Sequence, residues 1–243
     1  MTARSVTSNQ IDLYKNLEAV VRKYAATTFL RPVADHTREA FEQASEFVRT
    51  FYGMDVAGCV EVVLDSGCGT GESTLHLAKK FPNVPVIGID KSAVRLSKAG
   101  NERQLEVSAG GSCDVPANAF WVRAELLDFW RLALEKVEAG EWKILHHALY
   151  YPNPWPKESE ATRRFHLHPI FPTLLRLSPV TELRTNWEIY AREFAEAAQV
   201  LGDALSLKFD VELGAFEPQN PETAFERKYK EARQQLWRTL VKA

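Results

Sequence analysis

The sequence has little cysteine, no long apolar run and no excess of charge of either sign, and each absence narrows what the chain can be. Its three cysteines, Cys59, Cys68 and Cys113, are odd in number and never form a Cys-x-x-Cys pair. That argues against a disulfide framework or a structural zinc site, and for a reducing compartment. His146-His147 and His166-x-His168 come without nearby cysteine or a convincing third ligand, so no metal is expected. The polar N-terminus holds no apolar run long enough for a signal peptide or a membrane span, which predicts a cytoplasmic protein with no membrane partner. Lys and Arg number 30 against 32 Asp and Glu, a net charge of −2. No global field therefore draws the chain to nucleic acid, and any RNA contact has to come from local basic patches. There is no internal repeat and no low-complexity tract.

What is present suits one large α/β domain with an extension, or two small units. The 243 residues are 45% hydrophobic, enough to bury a sizeable core without disulfides or metals. Residues 9–30 and 37–52 read as helices. In the second, Phe41, Ala44, Phe47, Val48 and Phe51 fall at three- and four-residue spacings and give one apolar face. Arg31-Pro32 separates the two. This predicts an N-terminal helical extension over 1–58 and a core over 59–243. From Val60 onward strands and helices alternate, which implies a mostly parallel sheet. Candidate strands are 60–65, 84–89, 119–124, 142–149, 180–185, 204–212 and 234–241. Candidate helices are 72–81, 92–99, 126–138, 166–177 and 187–201. Residues 100–118, with Gly110, Gly111, Ser112 and Pro116, read as an irregular insertion, and 214–222 as a loop.

Residues 60–71, Val-Glu-Val-Val-Leu-Asp-Ser-Gly-Cys-Gly-Thr-Gly, join an apolar strand ending on Asp65 to a loop with Gly67, Gly69 and Gly71. Glycine permits φ > 0 and leaves no Cβ between backbone and ligand. The dinucleotide fingerprint wants its third glycine at 72, where Glu72 stands. An aspartate before Gly-x-Gly-x-Gly instead resembles the first motif of S-adenosylmethionine-dependent methyltransferases. Asp90 closes the second strand about 20 residues past the loop, where an acid accepts ribose hydroxyls in doubly wound folds.

Three further stretches carry chemistry. Tyr151-Pro152-Asn153-Pro154-Trp155-Pro156-Lys157, followed by Arg163-Arg164, sits just after the fourth strand, at the end of the sheet where ligands bind. The prolines stiffen the backbone around Asn153 and Trp155. Glu182 to Tyr190 contains Thr185-Asn186-Trp187, and Pro221 to Lys228 contains Thr223-Ala224-Phe225-Glu226. In this order the stretches resemble the tRNA (guanine-N7)-methyltransferase family, which shows Phe-Pro-Asp-Pro-Trp-x-Lys, Arg-Arg, Thr-Asp-Trp-x-x-Tyr and Thr-x-Phe-Glu. The resemblance covers roughly residues 60–243, and Pro32 to His36 is faintly similar to a Pro-x-Ala-Asp-His stretch in eukaryotic members.

The resemblance implies a Rossmann-like methyltransferase fold, with a seven-stranded mostly parallel sheet, helices on both faces and the N-terminal helical extension. It also implies S-adenosyl-L-methionine as cofactor and tRNA or another folded RNA as partner. Asp65 and the loop Gly67, Gly69 and Gly71 would hold the methionyl end of the cofactor, Asp90 the ribose, and Glu125 would lie beside the adenine. Asn153 falls at the family's catalytic acid. Lys157, Asn186, Thr223, Phe225 and Glu226 fall at substrate-contacting positions, and Arg163 and Arg164 are expected to meet phosphate.

The departures are as informative as the matches. Asn153 and Asn186 stand where the family has aspartates. Guanine's Watson–Crick edge offers two adjacent donors, N1–H and the 2-amino group, which a carboxylate can accept together. Asparagine has one accepting and one donating side, which suits adenine-like edges. Asn153-Pro154-Trp155-Pro156 partly resembles the Asn-Pro-Pro-aromatic motif of enzymes that methylate the adenine amino group. Three readings therefore stand: guanine-N7 methylation of tRNA, methylation of another target, and a cofactor- and RNA-binding module without catalysis. Trp155 reads equally as site or core, whereas Trp187 reads as packing. Residues 227–243 hold Arg227, Lys228, Lys230, Arg233, Arg238 and Lys242 against Glu231 alone, which favours a phosphate-facing surface. The sequence leaves monomer and homodimer open.

Overall fold

The structure, a computed structural model, describes residues 5–56, 58–101 and 115–243. Most of the expected insertion over 100–118, with Cys113, lies outside the described residues. In chain order the first half holds α1 (Leu17–Ala25), α2 (Asp35–Tyr52), β1 (Val60–Ser66), α3 (Glu72–Lys80), β2 (Val86–Asp90) and α4 (Ala93–Leu96). There follow β3 (Ala119–Arg123), α5 (Leu126–Glu138), β4 (Trp142–Tyr150), α6 (Phe171–Arg176) and β5 (Val180–Thr185). The chain ends with α7 (Glu188–Leu205), β6 (Asp210–Phe216), α8 (Ala224–Glu231) and β7 (Leu236–Lys242).

The seven strands form one mostly parallel sheet in the order β3-β2-β1-β4-β5-β7-β6. β1, β2 and β3 pair in parallel, with Val63 opposite Val86 and Val86 opposite Ala119. β7 runs antiparallel to both β5 and β6. Every residue of β2 is buried, which is why Val-Ile-Gly-Ile-Asp reads as a continuous run rather than an alternation.

The chain divides into two compact units, Pro32–Ala148 on the one hand, and the residues up to Arg31 with Leu149–Ala243 on the other. This line differs from the expected boundary after residue 58, and packing explains it. Within the first unit, α2 buries Phe41, Ala44 and Val48. Phe41 meets Phe129 of α5 edge-on at 5.0 Å, and Phe47 stacks on Phe120 of β3 at 4.7 Å. Within the second unit, α1 buries Leu17 and Val21 and packs on α7.

Several elements depart from expectation. The helix expected over 9–30 is confined to Leu17–Ala25, because Ser8, Gln10 and Asp12 upstream of it engage their side chains or carbonyls in other bonds. The helix expected over 92–99 is one α turn capped by Ser92, followed by a π turn over Ser97–Asn101. The one expected over 166–177 resolves into a 3-10 turn at Phe165–Leu167 and the short α6, with a further 3-10 turn upstream at Glu158–Arg163. Pro169 interrupts it. The sixth strand, expected over 204–212, begins only at Asp210, since α7 runs on to Leu205 and ends with Ser206 in the left-handed region. It continues to Phe216, into the expected loop over 214–222. α8 is an addition to the expected elements, and its charge-rich sequence hides it from a hydrophobic-periodicity reading.

Candidate cofactor and substrate sites

In the unit Pro32–Ala148 the glycine loop curls over the end of β2. Gly67 and Cys68 donate their N–H groups to Ile89 O at 2.7 and 3.1 Å. Gly67, Gly69 and Gly71 have φ of 79°, 59° and 76°, a region where any side chain is strained. A Cβ at Gly67 would meet nothing within 4 Å, and one at Gly69 only Gly67 O at 4.0 Å. These two glycines therefore present bare backbone to open space. Gly71 differs: its Cβ would lie 2.3 Å from Trp121 Nε1 and 2.6 Å from Ala99 Cβ. Trp121, which sequence reasoning did not single out, is wedged beneath the loop.

The two acids expected to hold the cofactor are both structural as well. Asp65 is 1% exposed and its Oδ2 accepts from Ser73 Oγ at 2.7 Å and Thr74 Oγ1 at 2.6 Å. It thus ties the end of β1 to the first turn of α3, beneath the loop. Asp90 accepts from Gly69 N–H at 3.1 Å and Ser92 N–H at 2.8 Å, with Arg95 at 3.3 Å. Its carboxylate therefore fixes the loop, and a carboxylate has lone pairs for further donors. Glu125 precedes α5 with its side chain half-buried, and its N–H donates to Thr37 Oγ1 at 3.2 Å. Burial, then the charges of Asp65 and Asp90, push the Cys68 thiol well up, so it stays protonated and inert. The bare loop at Gly67 and Gly69, with Asp90 at the neighbouring strand end, fits S-adenosylmethionine. Asp90→Ala is expected to weaken that binding tenfold or more in calorimetry, at about 1.5–3 kcal/mol for each bond to a charged group. Unchanged affinity in the folded variant would remove Asp90 from the site.

The other unit collects the remaining motifs. Tyr151 N–H donates to Arg184 O at 2.7 Å, which joins the chain leaving β4 to the end of β5. Tyr151 OH donates to Glu226 Oε1 at 3.1 Å, and burial together with that carboxylate pushes the phenol up. Arg184 Nη1 reaches Glu222 and Glu226, both at 2.9 Å, and Nε reaches Glu182 at 2.8 Å. Thr223 caps α8, its Oγ1 accepting from Glu226 N–H at 3.0 Å. Thr-x-x-Glu is the capping-box spacing. Thr223 and Glu226 are buried and build the scaffold, whereas Phe225 between them is 49% exposed. Phe225 stacks on Tyr229 at 6.0 Å, and Tyr151 lies within 6.0 Å of both rings.

Asn153 is exposed, and its Oδ1 accepts Trp155 N–H at 3.3 Å. This Asx turn engages one lone pair of Oδ1, and the side chain carries an amide donor beside it. Asn186 is half-buried and donates to Gln234 Oε1 at 3.2 Å. Lys157 and Arg163 are exposed, and the Arg163 guanidinium lies 4.6 Å above the Trp155 ring. Arg164 corrects the expectation of a phosphate contact. Its side chain is 0% exposed and bonds to Glu193 at 2.6 Å, Gln10 at 2.9 Å and Trp155 O at 2.9 Å. It also lies 4.8 Å above the Trp187 ring, which is itself buried. A guanidinium enclosed in this way has no face to offer a phosphate. His166 bonds to Glu193 at 2.8 Å, and His147 to Ser66 Oγ at 2.8 Å. Among the described residues there is no group of His, Cys, Asp and Glu able to hold a metal ion, and no helix long and apolar enough to cross a membrane.

The family described as "Putative methyltransferase" matches residues 60–239, and the chain belongs to it. More particularly, it is a divergent member of the tRNA (guanine-N7)-methyltransferase group. It is 28% identical over 192 residues to the tRNA (guanine-N(7)-)-methyltransferase of Mycobacterium tuberculosis, a match covering 74% of this chain and 64% of that protein. The protein of the same name from Neisseria meningitidis is 27% identical over 187 residues, with 74% of this chain and 71% of that protein covered. The chain thus spans less than two thirds of the mycobacterial relatives' length. Among solved structures, an antibiotic-related methyltransferase superposes with a TM-score of 0.53 at 16% identity, covering 91% of this chain and 98% of the other, which supports the fold.

Proposed function

We propose that the chain is an S-adenosylmethionine-dependent RNA methyltransferase, with guanine-N7 of tRNA as its target. One observation carries this reading: hydrogen bonds gather the stretches 151–157, 182–190 and 222–229 within one unit. They leave Asn153, Lys157, Arg163 and Phe225 exposed. Exposed Phe225, backed by Tyr151 and Tyr229, is a stacking surface for an unpaired base, the form in which RNA bases are read. Lys157 and Arg163, with exposed Arg227, Lys228, Arg233 and Arg238, supply local phosphate contacts despite the net charge of −2.

In the other unit Asp90 and Glu125 would take the ribose and adenine, and Gly67 and Gly69 would admit the methionyl part. When bound, the cofactor supplies an electrophilic methyl group on a sulfonium. Guanine N7 has a lone pair and no proton, so no general base is needed. The chain's own contribution would be to position the base, and positioning can supply much of the rate.

A second reading, methylation of an adenine-like base, is favoured by the Asx turn. With Oδ1 of Asn153 held in the turn by Trp155 N–H, the side chain offers an amide donor beside an acceptor, which suits adenine-like edges better than guanine's paired donors. The deciding experiment is methyl transfer to a tRNA transcript followed by nucleoside analysis, for wild type and Asn153→Asp. Aspartate keeps the turn with one oxygen and exposes the other as an acceptor. Under the first reading m7G formation rises about tenfold or more, the scale of one hydrogen bond to a charged group. A fast wild type, slowed by the substitution and yielding another methylated base, would favour the second. Silence in both proteins despite normal cofactor binding would favour a binding module without catalysis.

A further inference from the structure

The turn bearing Asn153 does not hold itself. Tyr151 and Trp155 are non-glycine residues at φ of 52° and 45°, a conformation that persists only where surrounding structure over-determines it. Pro154 and Pro156 remove two backbone donors from the turn. Apart from the Trp155 N–H, which Asn153 Oδ1 accepts within the turn, its polar groups are held by residues outside it. Trp155 O accepts from Arg164 Nε at 3.3 Å and Nη2 at 2.9 Å. Pro156 O accepts from Ser8 Oγ at 2.5 Å, and Glu158 N–H donates to Asn9 Oδ1 at 3.4 Å. Gln10, buried, sets the angle of Arg164: its Oε1 accepts from Arg164 Nη2 at 2.9 Å while its Nε2 donates to Glu193 Oε1 at 2.6 Å. Tyr14 N–H donates to the same Glu193 oxygen at 2.7 Å.

We infer that residues 8–14 form a strap that sets the turn 153–157, with Gln10 and Arg164 as positioning residues for Asn153. The inference rests on the reading that this turn faces the substrate. It gives work to a segment upstream of the family match, which begins at residue 60. Gln10 acts through the fork geometry of Arg164, whose separate N–H groups reach Glu193, Gln10 and Trp155 O at once.

The test uses the full chain carrying Gln10→Ala, with Arg22→Ala in the exposed Arg22–Glu18 pair as a control. Ser8→Ala, at a half-buried position, repeats it if Gln10→Ala lowers the yield of folded protein. Hydrogen exchange of the Trp155 and Glu158 amides is expected to accelerate about tenfold or more, the scale of losing one hydrogen bond to a charged group. Single-turnover methyl transfer to RNA should fall by a similar factor, with cofactor affinity unchanged. Unaltered exchange in the folded variants would overturn the strap. Faster exchange with unaltered transfer would overturn the positioning role. A wild type that methylates no RNA would count against the functional reading alone, because exchange needs no substrate and still decides the strap.

Discussion

Alanine at Gly71 is expected to abolish S-adenosylmethionine binding and to destabilise the protein by about 2–5 kcal/mol. Two costs add. At φ +76° a side chain pays roughly 1–2 kcal/mol for the left-handed backbone. The added Cβ also arrives 2.3 Å from Trp121 Nε1 and 2.6 Å from Ala99 Cβ, so an indole or the turn after α4 has to move, and overpacking of this kind costs roughly 1–3 kcal/mol. The loop cannot yield instead without breaking Gly67 and Cys68 away from Ile89 O and Gly69 from Asp90. Gly67→Ala is the internal control, since its Cβ meets nothing within 4 Å and only the backbone term remains. Thermal unfolding and calorimetric titration with the cofactor measure both effects. A Gly71→Ala protein that matched Gly67→Ala in melting temperature and bound cofactor normally would show that Trp121 does not support the loop.

The contrast between Gly71 and its neighbours also shows what the sequence could and could not reveal. Sheet strands such as Val60–Ser66 and Val86–Asp90 were legible because burial on both faces leaves a continuous apolar run, and the glycine spacing fixed where the loop lay. Pattern reading stopped where long-range partners decide. Nothing local marks Trp121 as the floor under Gly71, or Gln10 as the residue that aims Arg164. Arg163-Arg164 reads as one basic patch, yet Arg163 is exposed over Trp155 while Arg164 is enclosed. The difference is made by Glu193, 29 residues away along the chain. Thr223 and Glu226 were visible as a motif, and their spacing is that of a capping box. What the spacing hid is that Glu226 also anchors Arg184 and Tyr151.

Replacing Arg164 by methionine should have the largest effect on stability, because it leaves a buried carboxylate without its charge partner. Arg164 and Glu193 are both 0% exposed and His166 is 1% exposed. Breaking a buried pair from one side costs about 3–5 kcal/mol, a large fraction of the roughly 5–15 kcal/mol that holds a native protein together. Arg164→Lys should cost less, since the charge remains, but an ammonium cannot reproduce the planar fork to Glu193, Gln10 and Trp155 O. The pH dependence identifies the cause. Burial opposes ionisation of Glu193, but the bonds from His166 and Arg164 outweigh it and hold the carboxyl down at about 2, from 4.5. A depressed carboxyl stabilises fully above its unfolded value, and the contribution is lost as pH falls from about 4.5 toward 2. Burial also lowers His166 below 6.5, so its neutral form stabilises above that value and loses the contribution as pH falls through it. In wild type both effects make acid destabilising. In Arg164→Met, Glu193 no longer has the guanidinium to keep it ionised, so the stability gap to wild type should be widest near pH 7 and should narrow toward pH 3. Urea midpoints measured across that range test this. A gap of constant size would mean that lost packing around the side chain, rather than the stranded charge of Glu193, is what the substitution costs.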